Sequence, residues 1–358
     1  MRIDTLIVGQ GLAGSQLAWE LLARGERVLV VDRDEPFTSS KVAAGIVTPV
    51  TGQRLVTTWR FPEFWETAGA FYRRIEAETG ARFFHPTPIA RLLANPTEAG
   101  RWETRMNAET SGYPPHTAGL DIDSGLFRND HGGFEMPEAG WLDTRVFLEA
   151  TRQHLLERAA YAIADLHAEE VAVAGDAVRW KSIIANRAVF CTGWEGNRNR
   201  FFDWVAFRNA RGQILDLECD ALAVSGERRI LNRAGWLLPL GNGQARAGAT
   251  YEWDFDEARA TEPDRAGRSE VEAKVTAMFV PDTGFRVTGH RAAVRPIIRE
   301  SRAVAGVHPA AELHGRIAFF NGLGSKGVLN GPFFASQLAG HLVRHEPIDE
   351  EVDLRRNR

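Results

Sequence analysis

A glycine-spaced turn near the amino terminus constrains this chain more than any other feature. The apolar run Ile3 to Val8 leads directly into Gly9-Gln10-Gly11-Leu12-Ala13-Gly14. A second apolar run, Val28 to Val31, ends in Asp32. Strand, G-x-G-x-x-G turn, helix, strand and terminal acid is the order of a βαβ unit that binds a dinucleotide. Each part has a reason. Gly9 permits the tight turn, Gly11 lets the backbone approach a pyrophosphate, and Gly14 lets helix and strand pack closely. The helix start offers free N–H groups and the positive end of its dipole. Asp32 stands where a carboxylate can accept from ribose hydroxyls.

The remaining composition narrows the class. A chain of 358 residues suggests two domains, or one core with a large insertion. Its hydrophobic share of 44% and charged share of 25% are those of a globular protein. A net charge of −4 gives no general pull toward nucleic acid or an anionic membrane. Cys191 and Cys219 show neither metal-ligand spacing nor a disulfide framework, and no metal site is expected. No apolar run is long enough to span a membrane, and the first strand leaves no room for a cleaved leader, so the expected location is cytoplasmic. Lysine occurs only at Lys41, Lys181, Lys274 and Lys326.

Apolar spacing predicts helices over 12–24, 61–79, 141–159 (capped by Asp143 or Thr144), about 268–279, and from the 322–327 loop to about His345. Strands are expected at 161–163, 170–173, 188–194, 236–240, 244–250 and 317–320. Residues 81–140 are rich in Pro, Gly and aromatics, with short strand-like runs. The pattern is interleaved: nucleotide-domain segments at 1–80, 141–215 and 291–358, and strand-rich insertions at 81–140 and 216–290 that pair into a substrate-binding domain. A substrate cavity is expected between the two sheets.

Further motifs follow in order: Ser39-Ser40-Lys41-Val42-Ala43-Ala44-Gly45, Val171, Cys191-Thr192-Gly193-Trp194, Gly212-Gln213, Pro239 with Gly248-Ala249-Thr250, Arg295-Pro296, and Gly322 to Gly327. With the first turn they make the chain resemble the D-amino-acid oxidase (DAO) superfamily of flavoproteins, the group of glycine and sarcosine oxidases. The resemblance implies an α/β (α+β overall) fold of the DAO/glutathione-reductase type: a Rossmann-like FAD-binding domain with an interleaved antiparallel-sheet substrate domain. It implies FAD as cofactor, and non-covalent FAD because 297–309 lacks a cysteine. Carried onto this sequence, the FAD-binding residues are Gly9, Gly11, Leu12, Ala13, Gly14, Asp32, Arg33, Ser40, Lys41, Ala44, Gly45, Ile46, Val171, Thr192, Gly193, Trp194 and Gly322, Leu323, Gly324, Ser325, Lys326, Gly327, Val328.

The resemblance also implies a reaction, oxidation of the C–N bond of a small amino acid or N-substituted glycine. A hydride equivalent passes to flavin N5, and the resulting imine hydrolyses. Arg295 matches the arginine that grips the substrate carboxylate, for which a planar guanidinium is suited. Lys326 is placed to put positive charge beside the reduced flavin, and Arg246 to favour oxygen reduction over it. Arg299 and Arg302 read as surface charges. Trp59, Arg60, Tyr113 and Tyr251 read as cavity candidates. The partners are a small amine or amino acid and oxygen or another electron acceptor. Two alternatives stay open. The Gly-Leu-Gly-Ser-Lys-Gly loop is closer to the oxidase domain of the bifunctional tRNA 5-methylaminomethyl-2-thiouridine biosynthesis enzyme, which suggests a stand-alone tRNA wobble-uridine oxidase, although the acidic balance speaks against a tRNA partner. A flavoprotein without turnover, acting as an assembly or binding factor, is the other.

Overall fold

The computed structural model describes residues 1–107, 116–298, 302–313 and 315–357. Its first sheet is built around Arg2–Val8, which pairs in parallel with Val28–Asp32 on one side and Ile183–Phe190 on the other. Tyr161–Ile163 extends it beyond Val28–Asp32, and Ile317–Asn321 pairs in parallel with the far end of Ile183–Phe190. Val304–Val307 and the hairpin Ala172–Ala174 with Ala177–Trp180 complete it. Parallel strands covered on both faces carry continuous apolar runs. Here Ile7, Val30 and Val189 pack toward helices Leu12–Leu22 and Gly327–Arg344, while Leu6, Val8, Val31 and Phe190 pack on the opposite face with Phe202 and Phe319. Alternation along each strand divides the two cores.

The second sheet also has eight strands, in the order Arg286–Arg295, Ala210–Glu218, Gln244–Gly248, Gly235–Gly241, Ile230–Arg233, Ile89–Leu92, Gly133–Met136 and Thr117–Ala118. All its pairs are antiparallel except Ile89–Leu92 with Ile230–Arg233. Helix Arg265–Thr276 covers one face through Val271 and Val275, packed on Leu215, Leu237 and Ala247. A small sheet of Ile46–Val47, Gly140–Leu142 and Phe84–Pro86 lies between the segments feeding the two large ones.

The sequence expectations meet this fold with several corrections. Helix Phe61–Thr79 has the expected bounds, and Asp143 caps Thr144–Glu157 through its carboxylate, which accepts from Arg145 N and Val146 N at 3.2 Å each. That helix does not begin at 141, because Gly140–Leu142 is a strand. The helix expected at 268–279 spans Arg265–Thr276, started by the Asp264 cap. Helix Pro96–Asn107 was not expected within 81–140. Its polar face hides the apolar period, yet Asn95-Pro96-Thr97-Glu98 is a start signal: Glu98 N donates to Asn95 Oδ1 at 2.9 Å. The expected boundaries at 215/216 and 290/291 fall inside strands Ala210–Glu218 and Arg286–Arg295, whose ladder runs unbroken in pairing from Ala210↔Arg295 to Asp216↔Gly289.

Among the described residues no helix is long and apolar enough to cross a membrane. No group of three or more His, Cys, Asp or Glu that could hold a metal ion occurs among them either.

One buried connection sets the relation between the two helices that matter most for the site. Gln16 Nε2 donates to Gly327 O at 2.9 Å and to Tyr72 Oη at 3.0 Å, and Tyr72 Oη donates to Val328 O at 2.9 Å. Gln16 and Tyr72 are both fully buried.

Substituting Asp143→Ala leaves two N–H groups of its helix without their cap. A loss of about 1 kcal/mol is expected in urea unfolding with unchanged steepness of the transition.

Candidate functional site

The two sheets and the starts of both helices enclose a cavity of about 800 Å³. At one end are Gly9, Gly11, Leu12 and Ala13, with Asp32 and Arg33 beside them. Gly9 has φ +102°, and a Cβ there would lie 2.6 Å from Cys191 O. A Cβ on Gly14 would lie 1.9 Å from Gly9 O, so Gly14 shapes the turn without reaching the cavity itself. Asp32 is fixed by accepting from Gln10 N at 2.6 Å and Asp34 N at 2.7 Å. Helix Leu12–Leu22 starts at Gly11 with no side-chain cap and no acid in its first turn. Its positive end meets no acid and faces the cavity, a setting for phosphate.

Ser40, Ala44, Gly45 and Ile46 form a second wall, together with Thr192, Gly193 and Trp194. Ser40 Oγ accepts from Leu12 N at 3.0 Å, which ties this wall to the glycine turn. The third wall is Leu323, Gly324, Ser325, Lys326, Gly327 and Val328, the start of the carboxy-terminal helix, again without a side-chain cap or an acid in the first turn. Gly322 lies behind it against Ile298.

Lys326 differs from the other lysines. Lys41 and Lys274 pair with Asp34 and Glu270, and Lys181 lies exposed over Trp180. Lys326 Nζ donates to Thr58 Oγ1 at 3.3 Å, a neutral partner, and its side chain has no ion pair among the described residues. Burial holds its pKa below the usual lysine value.

Arg295 lines the opposite, second-sheet side. Its guanidinium donates at long range to Thr250 O (3.3 and 3.4 Å) and Arg211 O (3.4 Å), and Tyr251 lies with its ring centre 4.9 Å away. It has no ion pair among the described residues. The nearby Glu252 is taken by Arg211, the Thr250 hydroxyl and Gln213. Burial lowers the pKa of Arg295 from the usual arginine value. The Gly212-Gln213 motif explains itself here. A Cβ on Gly212 would strike the guanidinium at 2.3 Å, and Gln213 ties Glu252 to Asp264. A cation so placed can grip an anionic ligand group with paired N–H bonds.

Besides Gly14 and Gly322, three further expected site residues lie off the cavity wall. Lys41 turns onto Asp34 at 2.8 Å and Glu35 O at 2.7 Å. Arg152 and Lys41 together hold the Asp34 carboxyl down to about 2. Val171 is fully buried and spends its backbone groups on Ala168 O and Arg200, while Leu166 to Glu169 line the cavity instead. Arg246 shares a sheet face with Ile214 but sits farther along, where it and Arg291 pair with Asp216 at 3.3 and 2.6 Å. Trp59 and Arg60 pack on Phe64 rather than lining the cavity, and Arg302 stacks on Trp59 at 4.5 Å rather than standing free on the surface. Tyr113 and Arg299 lie outside the described residues. Sequence reading missed Asn232, Trp236, Ile214, Ala249 and Ala293, which line the second-sheet side.

Comparison with known proteins fits this geometry. The model of the DAO family, FAD dependent oxidoreductases, matches residues 4–340. An uncharacterized oxidoreductase of Bacillus subtilis (strain 168) is 27% identical over 361 residues, covering 93% of both chains. The tRNA 5-methylaminomethyl-2-thiouridine biosynthesis bifunctional protein of Burkholderia thailandensis is 26% identical over 271 residues, and the match covers 70% of this chain but 40% of that one. Iminodiacetate oxidase from Chelativorans sp. BNC1 has the same fold at TM-score 0.78 and 19% identity, covering 98% of each chain. Glycine oxidase from Bacillus cereus does so at TM-score 0.79 and 17% identity, covering 96% of each chain.

Lys326 also carries a pH signature. Its folded pKa lies below its unfolded one, so the unfolded chain binds more protons in the interval between them, and stability rises with pH there. For the apoprotein, urea midpoints are expected to climb more steeply in the parent than in Lys326→Met as pH rises toward the usual lysine range; equal slopes refute the assignment.

Proposed function

The chain belongs to the DAO family of FAD dependent oxidoreductases, and we propose that it oxidises the C–N bond of a small amino acid or N-substituted glycine. It is an FAD-dependent enzyme by that membership. The cradle fits the cofactor, with two helix starts free of first-turn acids and a turn whose glycines leave no room for side chains. Gly9, Gly11, Leu12, Ala13 and Asp32 would hold the dinucleotide half, and the 323–328 segment the flavin end. Bound FAD would supply the acceptor for the hydride equivalent that leaves the carbon beside the amine, and the resulting imine would be hydrolysed by water.

The observation that carries the reading is Arg295, a guanidinium on the cavity wall with carbonyls and an aromatic ring around it and, among the described residues, no carboxylate paired to it. Keeping a cation there without its own anion is costly unless a ligand supplies one. Arg295 holds the substrate carboxylate and so sets the position of the carbon next to nitrogen. Arg295 and Lys326 together disfavour a protonated amine, so the substrate binds with its nitrogen lone pair free. Tyr251 covers the outer side of Arg295. The Thr250–Glu252 segment behind it is fastened by Gln213 and Arg211.

A second reading, a stand-alone oxidase of a modified tRNA wobble uridine, draws support from the Gly-Ser-Lys-Gly loop and the bifunctional tRNA enzyme among the relatives. The net charge of −4 speaks against it. Unprocessed carboxymethylaminomethyl-uridine in tRNA from a deletion strain would favour this reading, and normal tRNA would reject it.

Anaerobic mixing with glycine, sarcosine, D-amino acids and iminodiacetate tests the main reading, with bleaching of the visible flavin band as the signal. Arg295→Ala is expected to lower kcat/KM for carboxylate-bearing amines about a hundredfold to a thousandfold, mostly through KM, with flavin content retained. Unchanged kinetics would remove Arg295 from this role.

A further inference from the structure

We propose that the substrate is an N-carboxymethyl amine whose other nitrogen substituent carries a hydrogen-bond acceptor beyond the nitrogen, and that Asn232 recognises this acceptor. The proposal rests on the reading of Arg295 given above and narrows it to a substrate class.

Asn232 lies on strand Ile230–Arg233 and lines the cavity. Its register partner on the neighbouring strand is Arg91. Arg91 Nη1 donates to Asn232 Oδ1. Arginine offers donors only, so the amide must turn its oxygen toward Arg91 and its NH2 group away. Among the described residues Asn232 Nδ2 meets no acceptor, which leaves it as a donor on the cavity wall.

Arg91 is in turn held from behind. It is buried and paired with Glu98, which is also buried. Glu98 accepts from Ala94 N at 2.7 Å, and its own N–H donates to Asn95 Oδ1 at 2.9 Å, so the start of helix Pro96–Asn107 fixes it. A buried ion pair is a weak source of stability compared with apolar packing. This one fixes which end of an amide faces the ligand.

Distance then selects the substrate. The Arg295 guanidinium lies over Gly212. From the strand of Gly212 to that of Asn232 there are three inter-strand steps, through Gln244–Gly248 and Gly235–Gly241. At about 4.8 Å per step this is roughly 14 Å across the strands, to which the register adds the offset from Gly212 to Ile214, the residue level with Asn232, less the inward reach of the side chains. Trp236, Ile214 and Ala249 line the wall between them. Glycine or sarcosine held at Arg295 ends well short of Asn232. A substituent with an apolar stretch and a carbonyl oxygen beyond it uses the whole wall.

The test uses the flavin-loaded enzyme and two near-isosteric compounds, N-(3-amino-3-oxopropyl)glycine and N-isopentylglycine. The parent is expected to prefer the amide by about tenfold to a hundredfold in kcat/KM, the range of one hydrogen bond to a well-placed donor. Asn232→Leu, similar in size, is expected to remove that preference. Asn232→Asp keeps the size and the Arg91 contact while losing the donor, and it serves should the leucine variant fail to retain flavin. Arg91→Met, which frees the amide to turn, is expected to weaken the preference while the hydrocarbon analogue is still oxidised. Equal rates for both compounds in the parent, or an undiminished preference in a flavin-loaded Asn232 variant, would overturn the role of Asn232 and leave that of Arg295 standing. Oxidation of neither compound would overturn the carboxylate-amine reading and this inference with it.

Discussion

The buried contact among Gln16, Tyr72 and the first turn of the carboxy-terminal helix is the constraint on which the site depends. The site needs two helix starts, one from each end of the chain, aimed into the same cavity. Packing alone lets helices slide or rotate at small cost. A buried amide with its N–H bonds committed to Gly327 O and Tyr72 Oη does not allow this, since moving either helix leaves polar groups unpaired in an apolar core. A Cβ on Gly331 would lie 2.1 Å from Gln16 Oε1, so the facing helix is shaped to admit the glutamine.

The electrostatics around the cavity follow one theme. Three acids in or beside it are committed: Asp32 to backbone N–H groups, Asp34 to Arg152 and Lys41, Glu252 to Arg211 and Gln213. Arg295 and Lys326 are left with carbonyl, hydroxyl and aromatic neighbours. The end of the cavity that holds Arg295 and Lys326 is therefore positive while the whole molecule is acidic. That charge suits an anionic cofactor and, on the proposed reading, the carboxylate of the substrate.

Much of this was legible in the sequence because it depends on local chemistry. The Gly9–Gly14 turn, Asp32, the Asp143 cap and the loop before the last helix are short patterns with one backbone solution each. Arg295 was legible through its motif. What failed was side-chain destination. Lys41 and Arg246 are each one ion pair away from the site, and their partners, Asp34 and Asp216, cannot be identified from spacing. Val171 missed by a few residues because a 3-10 turn, Ala168–Glu170, shifts which backbone reaches the cavity. Asn232 was invisible because its meaning comes from Arg91, a residue far away in the chain and adjacent only through a parallel strand pair.

The interleaving of the two sheets has a consequence for how the molecule comes into being. The chain crosses repeatedly between them, and the first strand waits for Ile183–Phe190 before it gains its second neighbour. Contacts so distant in sequence make folding slow, and neither sheet is complete in a stretch of chain free of the other's strands. The cavity exists only once both sheets are assembled. A cofactor that binds there binds the finished fold and not its fragments, and so adds its binding free energy to the stability of the whole. Supply of the cofactor thus bears on how much folded protein persists, as well as on how fast it works.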